Sequence, residues 1–426
     1  MEIKIWNALT DLQKQECLTR PAQTSSDNIE RIVKDIIANI RKDGDKALRE
    51  YSKTLDHFTK DNLELTEDEI AKACANVPSD LKEAIKEAYQ NIHRFHEAQK
   101  PNHVDLETYP GIFCHTRTHA IDAVGLYVPG GSAPLVSTAL MLAVPAQIAG
   151  CKDVILCSPP PISDAIIYAA SLCNVKRIFN LGGAQAIAAM AYGTETVPKM
   201  LKLFGPGNQF VTMAKRLVSS DPAGAAIDMP AGPSEVLVIA DKDANPTFVA
   251  ADLLSQAEHG PDSQVILVTT DESFAHKVSD AVEIELLKLP RKEVALKALS
   301  KSTAIVVNSL DEAVLVSNTY APEHLILQIN DPDSILDSLH NAGSIFVGAY
   351  TPESLGDYAS GTNHTLPTYG YGHTFSALGT DDYRRRYTVQ RATAQGLKGI
   401  SKTVEALASA ESLEAHRLAV ALRIEE

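Results

Sequence analysis

Apolar residues recur at helical spacing between about residues 25 and 100, as in "NIERIVKDIIANIRKDGDKALREYSKTL", with Gly44 and Asp45 breaking the stripe. From Ala123 onward the texture changes to short, continuous apolar runs: "AVGLYV", "DVILC", "KRIFNL", "EVLVIA", "QVILVTT", "AIVVN", "HLILQI" and "SIFVGA". One helix length separates most of them, the pattern of βαβ units closing on a mostly parallel sheet. Eight such strands are many for one twisted sheet, so two α/β domains are expected, joined near the Pro/Gly-rich "DMPAGPSEV". The predicted division is an N-terminal segment over 1–24, a first α/β domain from 25–126 with 236–378, a second over 127–235, and a tail over 379–426. After about residue 380 the strands are expected to stop. The tail then reads as two helices whose stripe of Leu413, Leu418, Val420, Leu422 and Ile424 must dock on the body or on another subunit, because a lone helix cannot bury it. There is no internal repeat of fixed period.

Composition narrows the partners. At 426 residues, 45% hydrophobic and 22% charged, the chain is ordinary for a globular protein of more than one domain, and its net charge of -15 argues against nucleic-acid and membrane partners. The start, "MEIKIWNALTDLQKQE", has early acids and no apolar core, unlike a secretory signal, and "STALMLAVPAQIAG" is too short to span a bilayer. A cytoplasmic protein is expected. Cys17, Cys74, Cys114, Cys151, Cys157 and Cys173 are scattered without a CxxC pair, which fits free thiols rather than a disulfide framework or a zinc knot.

Several stretches carry candidate chemistry, each with a plainer alternative. In "SNTYAPEHLILQI", Glu323 and His324 stand side by side at the mouth of a strand; one alternative is a solvated glutamate beside a hydrogen-bonded core histidine, since neighbours on a strand face opposite ways. In "NPTFVAADLLSQAEHGPDSQ", Asn245 caps and Pro246 opens a helix that Gly260 and Pro261 end, so Gln256 and His259 share a face in its last turn. They can bind a metal, or His259 can simply answer the helix dipole. His93 and His96 in "NIHRFHEAQ" have the same spacing, but a polar helical setting makes a solvated face the preferred reading there. "TPESLGDYASGTNHTLPTYGYGH" offers Asp357 and His364, after a short helix capped by Thr351, as a metal ligand and a substrate contact or as turn residues. Glycine-rich turns at "YVPGGSAP", "NLGGAQAI" and "LFGPGNQF" can cradle phosphate or serve as tight turns; none matches GxGxxG.

"GPSEVLVIAD", "DLLSQAEHGPDSQ", "NTYAPEHL", "GDYASGTNHTLPT" and "ESLEAHRLAV", in this order, with "VGLYVPGG" and "FGPGNQFV", resemble the histidinol dehydrogenase family over nearly the whole chain. The resemblance implies two Rossmann-like, mostly parallel α/β domains with small N-terminal and helical C-terminal segments. It also implies a zinc-dependent homodimer that oxidises L-histidinol to L-histidine through an aldehyde, in two NAD-linked hydride transfers. Carried onto this sequence, the zinc ligands are Gln256, His259, Asp357 and His416, the last from the partner's exchanged tail. Glu323 and His324 are the acid/base pair. Substrate contacts fall on Ser234, His364 and Glu411 together with Gln256, His259, His324, Asp357 and His416; NAD contacts fall on Tyr127, Gln185 and Asn208. Glu411 and His416 are five apart, about 140° around an ideal helix, so they share a site only if Glu411 precedes the helix, with Ser409 or Ser412 as cap. A zinc hydrolase using Glu323 to activate water is the alternative of a different class, and a non-catalytic ligand-binding protein is a third.

Overall fold

The computed structural model describes residues 1–20, 26–99, 101–130, 134–230 and 232–425. Residues 131–133 of the first glycine-rich turn and Ala231 of the expected domain join lie outside the described residues. All eight apolar runs form strands, and all eight lie in parallel sheets. Such strands are covered on both faces, which is why they read as continuous rather than alternating hydrophobicity.

The five-stranded sheet runs Arg177–Asn180, Asp153–Ser158, Ala123–Tyr127, Lys202–Phe204, Ala226–Ile227 in space. Its winding starts at the centre, moves to one edge and then reverses to the other. The reversal between Ala123–Tyr127 and Lys202–Phe204 is a topological switch point, where a crevice opens at the carboxyl ends. The six-stranded sheet runs Glu2–Ile5, Thr303–Val306, Gln264–Thr269, Glu235–Ala240, His324–Gln328, Ser344–Val347. Apart from the added first strand, it repeats the same winding, although the sequence has no repeat. Short right-handed crossovers favour this topology without demanding similar residues.

Alternation along the strands supplies both faces of each sheet. Tyr127, Cys157 and Phe179 join one core with Ile36, Ile40 and Ile187, whereas Leu126, Leu156 and Ile178 join another with Ile85, Ile92 and Leu142. The helices Ser26–Leu55 and Ser79–Ala98 therefore pack on the five-stranded sheet, differently from the expected grouping of 25–126 with the six-stranded one. An amphipathic stripe says that a helix must be covered and does not say by which sheet. Gly44 breaks the first of these helices at φ 52°, as its position in the pattern suggested.

The tail also departs from expectation. Arg384–Ala392 is a strand, paired antiparallel with Ile112–Ala120, which pairs in turn with Asp105–Tyr109. "RRRYTVQRA" carries no buried face, so hydrophobic patterning passes over it; its residues are half-buried to exposed throughout. The helices Ala394–Ala410 and Glu414–Ile424 follow, with Leu413, Leu418 and Leu422 exposed. Just before the strand, fully buried Tyr383 stacks on Phe204 with ring centroids 3.9 Å apart and planes 11° from parallel, locking the tail's start to the five-stranded sheet. Tyr383→Ala is expected to destabilise the fold by about 3–5 kcal/mol, read as a lower urea midpoint.

Among the described residues no helix is long and apolar enough to cross a membrane. All six cysteines are free.

Candidate functional site

Chemistry gathers at the amino ends of the six-stranded sheet, where Glu235, Gln264 and His324 begin their strands. Ligands in open α/β sheets more often sit at carboxyl ends. Here the helix Pro246–Ala257 runs back between two parallel strands, so its last turn carries Gln256 to the strand starts; the helix stops earlier than Gly260 and Pro261 suggested, with Glu258 as its C-cap, and His259 lies in the turn that follows. Asn245 caps this helix through the Thr247 N–H, as its position foretold. Facing these strand starts are the carboxyl ends of the other sheet: Gly205, Asp228, Ser234, Glu323 and His364 line one cleft.

Glu323 and His324 are both buried, at 7% and 3% exposure, so the reading of one solvated neighbour is overturned. They converge on shared partners. Glu323 Oε2 accepts from the Glu235 N–H at 2.9 Å and from Gln256 Nε2 at 3.3 Å. His324 Nδ1 lies 3.1 Å from the Glu235 carbonyl, which only an N–H can satisfy, so Nδ1 carries the proton. His324 Nε2 then points toward Asp357 Oδ1 at 3.4 Å, and it has no hydrogen-bond partner among the described residues.

Burial first, and then the charges of Glu235 and Asp357, push the Glu323 carboxyl up, to about 8, against the pull of His324 and of the Glu235 N–H. Burial works the other way on His324, but Glu353, Glu323 and Asp357 outweigh it and raise the imidazole to about 10. For Asp357, burial is outweighed by the His324 contact, which holds the carboxylate below its usual range. Four ionisable groups with too few cations are thus packed together, and a bound dication would reverse that imbalance.

The donor set suits zinc. Ligand atoms of His259, Glu353 and Asp357 lie within 4.8 Å of one another, His259 on the surface and Glu353 fully enclosed. Gln256 Oε1 is buried without a partner among the described residues, although its own Nε2 is tied to Glu323 and close to His324. A buried carbonyl oxygen beside an imidazole and carboxylates fits the nitrogen and oxygen donors that zinc takes. Thr351 does not cap the short helix Glu353–Tyr358; its hydroxyl donates to the Val347 carbonyl at 2.7 Å instead. His364 Nδ1–H donates to the Asp357 carbonyl at 2.9 Å, leaving Nε2 to accept from Thr138 Oγ1 at 3.1 Å.

The expected NAD contacts lie at the carboxyl ends of the five-stranded sheet. Tyr127 ends the central strand, and its hydroxyl accepts from the Gly183 N–H at 3.0 Å. Gln185 donates to Asp56 at 3.0 Å, and Asn208 caps the helix Gln209–Ser220 through the Phe210 and Val211 N–H groups. Gly205 passes so close to the switch point that a Cβ would meet the Tyr127 carbonyl oxygen, and its φ of 122° also needs glycine.

Two expected residues are not brought in. Glu411 is the C-terminal cap of Ala394–Ala410, and Ser412 follows at φ 59°. Neither Ser409 nor Ser412 caps the next helix, whose N-cap is Leu413. Glu411 and His416 are exposed, and within this one chain His416 is not part of the His259, Glu353 and Asp357 group.

The family profile of histidinol dehydrogenase matches residues 18–424. The chain belongs to the histidinol dehydrogenase family. It is 54% identical to "Histidinol dehydrogenase" of Photobacterium profundum, with 100% of this chain and 96% of that protein covered. It is 55% identical to the protein of the same name from Vibrio vulnificus (strain YJ016), over 100% of this chain and 99% of that one. The crystal structure of histidinol dehydrogenase from Elizabethkingia anophelis is similar at a TM-score of 0.97 and 47% identity, covering 100% and 98% of the two chains.

Within the frame of a histidinol dehydrogenase, sequence reading missed Glu353, Thr138 and Asp56. Glu353 was within reach, since it stands i, i+4 to Asp357 on one short helix and so shares its face. Thr138 and Asp56 carried no local signal. The His93 and His96 pair needs a correction too: His96 is fully buried, with Nδ1 at 2.8 Å from the Ile92 carbonyl and Nε2 at 3.2 Å from Asn363 Nδ2. It is a core histidine tying the 79–98 helix to the site loop, not part of a solvated face.

Proposed function

We propose that this protein oxidises L-histidinol to L-histidine, by way of the aldehyde, in two successive NAD-linked steps at the Glu323/His324 cluster. Membership of the family over the full chain supports the reaction, and one geometric observation supports the location: two buried atoms without partners among the described residues, Gln256 Oε1 and His324 Nε2, belong to the two side chains that meet at the Gln256–His324 contact. One is suited to a cation and the other to a proton.

When bound, zinc supplies the positive anchor for the amine and imidazole nitrogens of the substrate, and NAD supplies the hydride acceptor. Gln256, His259 and Asp357 would hold the zinc, with His416 from the tail of a second copy of the chain as the fourth ligand and Glu411 of that tail near the substrate. Tyr127, Gln185 and Asn208 would hold NAD; Ser234 and His364 would line the substrate's side.

His324 takes the hydroxyl proton in the first oxidation. Its Nδ1–H is committed to the Glu235 carbonyl, so the free Nε2 is the basic nitrogen. An imidazole held protonated to about pH 10 is a poor base at neutrality, and added positive charge at the cluster lowers that value toward the useful range. In the second step a water must add to the aldehyde before hydride can leave, and Glu323 takes that water's proton. Glu323 and His324 thereby serve one carbon from adjacent positions on the chain. Enclosure of the site in the cleft lined from both sheets holds the reactive aldehyde between the two steps.

The deciding measurement is the NADH formed per L-histidinol consumed. A yield of two, abolished by a chelator and restored by zinc, is expected. Turnover without NADH, or full activity after chelation, would overturn the assignment.

A further inference from the structure

Directly behind the acid/base pair stands a buried ion pair that the reaction itself does not use. Glu235 is 2% exposed, and its main chain holds both reacting residues, with the N–H on Glu323 Oε2 and the carbonyl on His324 Nδ1. Its carboxylate is gripped from the far side. Arg20 Nε donates to Oε1 at 2.5 Å, Arg20 Nη2 to Oε2 at 2.9 Å, and the Tyr369 N–H to Oε1 at 3.0 Å.

Arg20 also reaches the approach to Glu323. Its Nη2 donates to the carbonyls of Tyr320 at 2.6 Å and Ala321 at 3.3 Å, and the guanidinium lies 4.1 Å from the centre of the Tyr320 ring. Ala321 holds a left-handed φ of 52° as it ends the helix Leu310–Tyr320, two residues before Glu323. One planar cation therefore bridges two separate strand starts, at Glu235 and at the turn into Glu323 and His324. A guanidinium does this and an ammonium does not, because its donors are fixed in a plane that matches a carboxylate and leaves further N–H groups for carbonyls.

We propose that Arg20, through Glu235, is a positioning residue for the acid/base pair, an inference that rests on the oxidation assigned above. The N-terminal segment thereby becomes part of the working site. Arg20 fixes the Glu235 peptide groups, and these fix the Glu323 carboxylate and the His324 tautomer. A displacement of about 1 Å at such groups costs on the order of 100-fold in rate.

The test compares Arg20→Gln with the double variant Arg20→Gln/Glu235→Gln, which leaves no unpaired buried charge and so guards against simple misfolding. Both are measured as the zinc-loaded full chain, at equal folded concentration, by steady-state kinetics and crystallography. A fall in kcat of about 10- to 100-fold with KM for L-histidinol and zinc content unchanged is expected, together with loss of the Glu235 main-chain contacts to Glu323 and His324. A double variant that folds, holds zinc and keeps the wild-type kcat overturns the proposal, as do crystals that retain both contacts. If wild-type protein forms no NADH from L-histidinol, the oxidation is wrong, and the contacts in the variant crystals still decide the clamp.

Discussion

Glu323→Gln is expected to slow oxidation of the aldehyde by about 10²- to 10⁴-fold while slowing oxidation of the alcohol far less. The amide keeps the shape, and its oxygen still accepts from the Glu235 N–H, so the fold and the approach of Gln256 are preserved. What it loses is the capacity to take a proton. Only the second step has a water to deprotonate, because the first removes a proton from the substrate hydroxyl, a role proposed above for His324. Supplying L-histidinol and histidinaldehyde separately and following NADH resolves the two steps. Equal losses in both would remove Glu323 from the water-activating role.

His416→Asn is expected to abolish zinc retention while leaving the fold and the assembly intact. His416 is exposed in the single chain, in a helix whose N-cap makes no side-chain bond, so little of the fold depends on its ring. The proposed ligand set takes three residues from one chain and, in the same proposal, a fourth from a second copy. Losing an imidazole from a four-ligand site should weaken binding by more than the roughly 10- to 100-fold that outer-shell partners carry. Metal content after dialysis, with sedimentation to check assembly, reads both halves of the expectation. A variant that keeps one zinc per chain would take His416 out of the proposed ligand set, and the proposed exchange of tails with it.

The eight apolar strands and the Asn245 cap were legible because they are local, whereas the caps expected at Thr351 and at Ser409 or Ser412 did not form. A run such as "EVLVIA" is a strand wherever it is covered, and Asn245 with Pro246 starts a helix by its own hydrogen bonding. Among the strands that escaped notice, Lys202–Phe204 and Ala226–Ile227 are too short for a pattern, and Asp105–Tyr109, Ile112–Ala120 and Arg384–Ala392 have no buried face; Glu2–Ile5 was missed as well. At the site, Gln256, His259, Glu323, His324 and Asp357 were named from motifs, and four of them meet through His324 or its partners. Glu353 was not named, since a glutamate on a short helix looks solvated until the packing around it is known. His96 failed in the same way, as a polar helix face hid a ring that is wholly enclosed.

By itself the sequence determined the α/β class, the helix start at Asn245 and the break at Gly44, and the motif residues that mark the family, all of which depend on neighbours within a few positions. Only the tertiary structure decided which sheet covers which helix, that both sheets share one winding, and that chemistry collects at the amino ends of one sheet facing the carboxyl ends of the other. It also decided the charge state of the cluster. Burial and the through-space approach of carboxylates to His324 come from segments far apart in the chain, and no local pattern encodes the distances that set them.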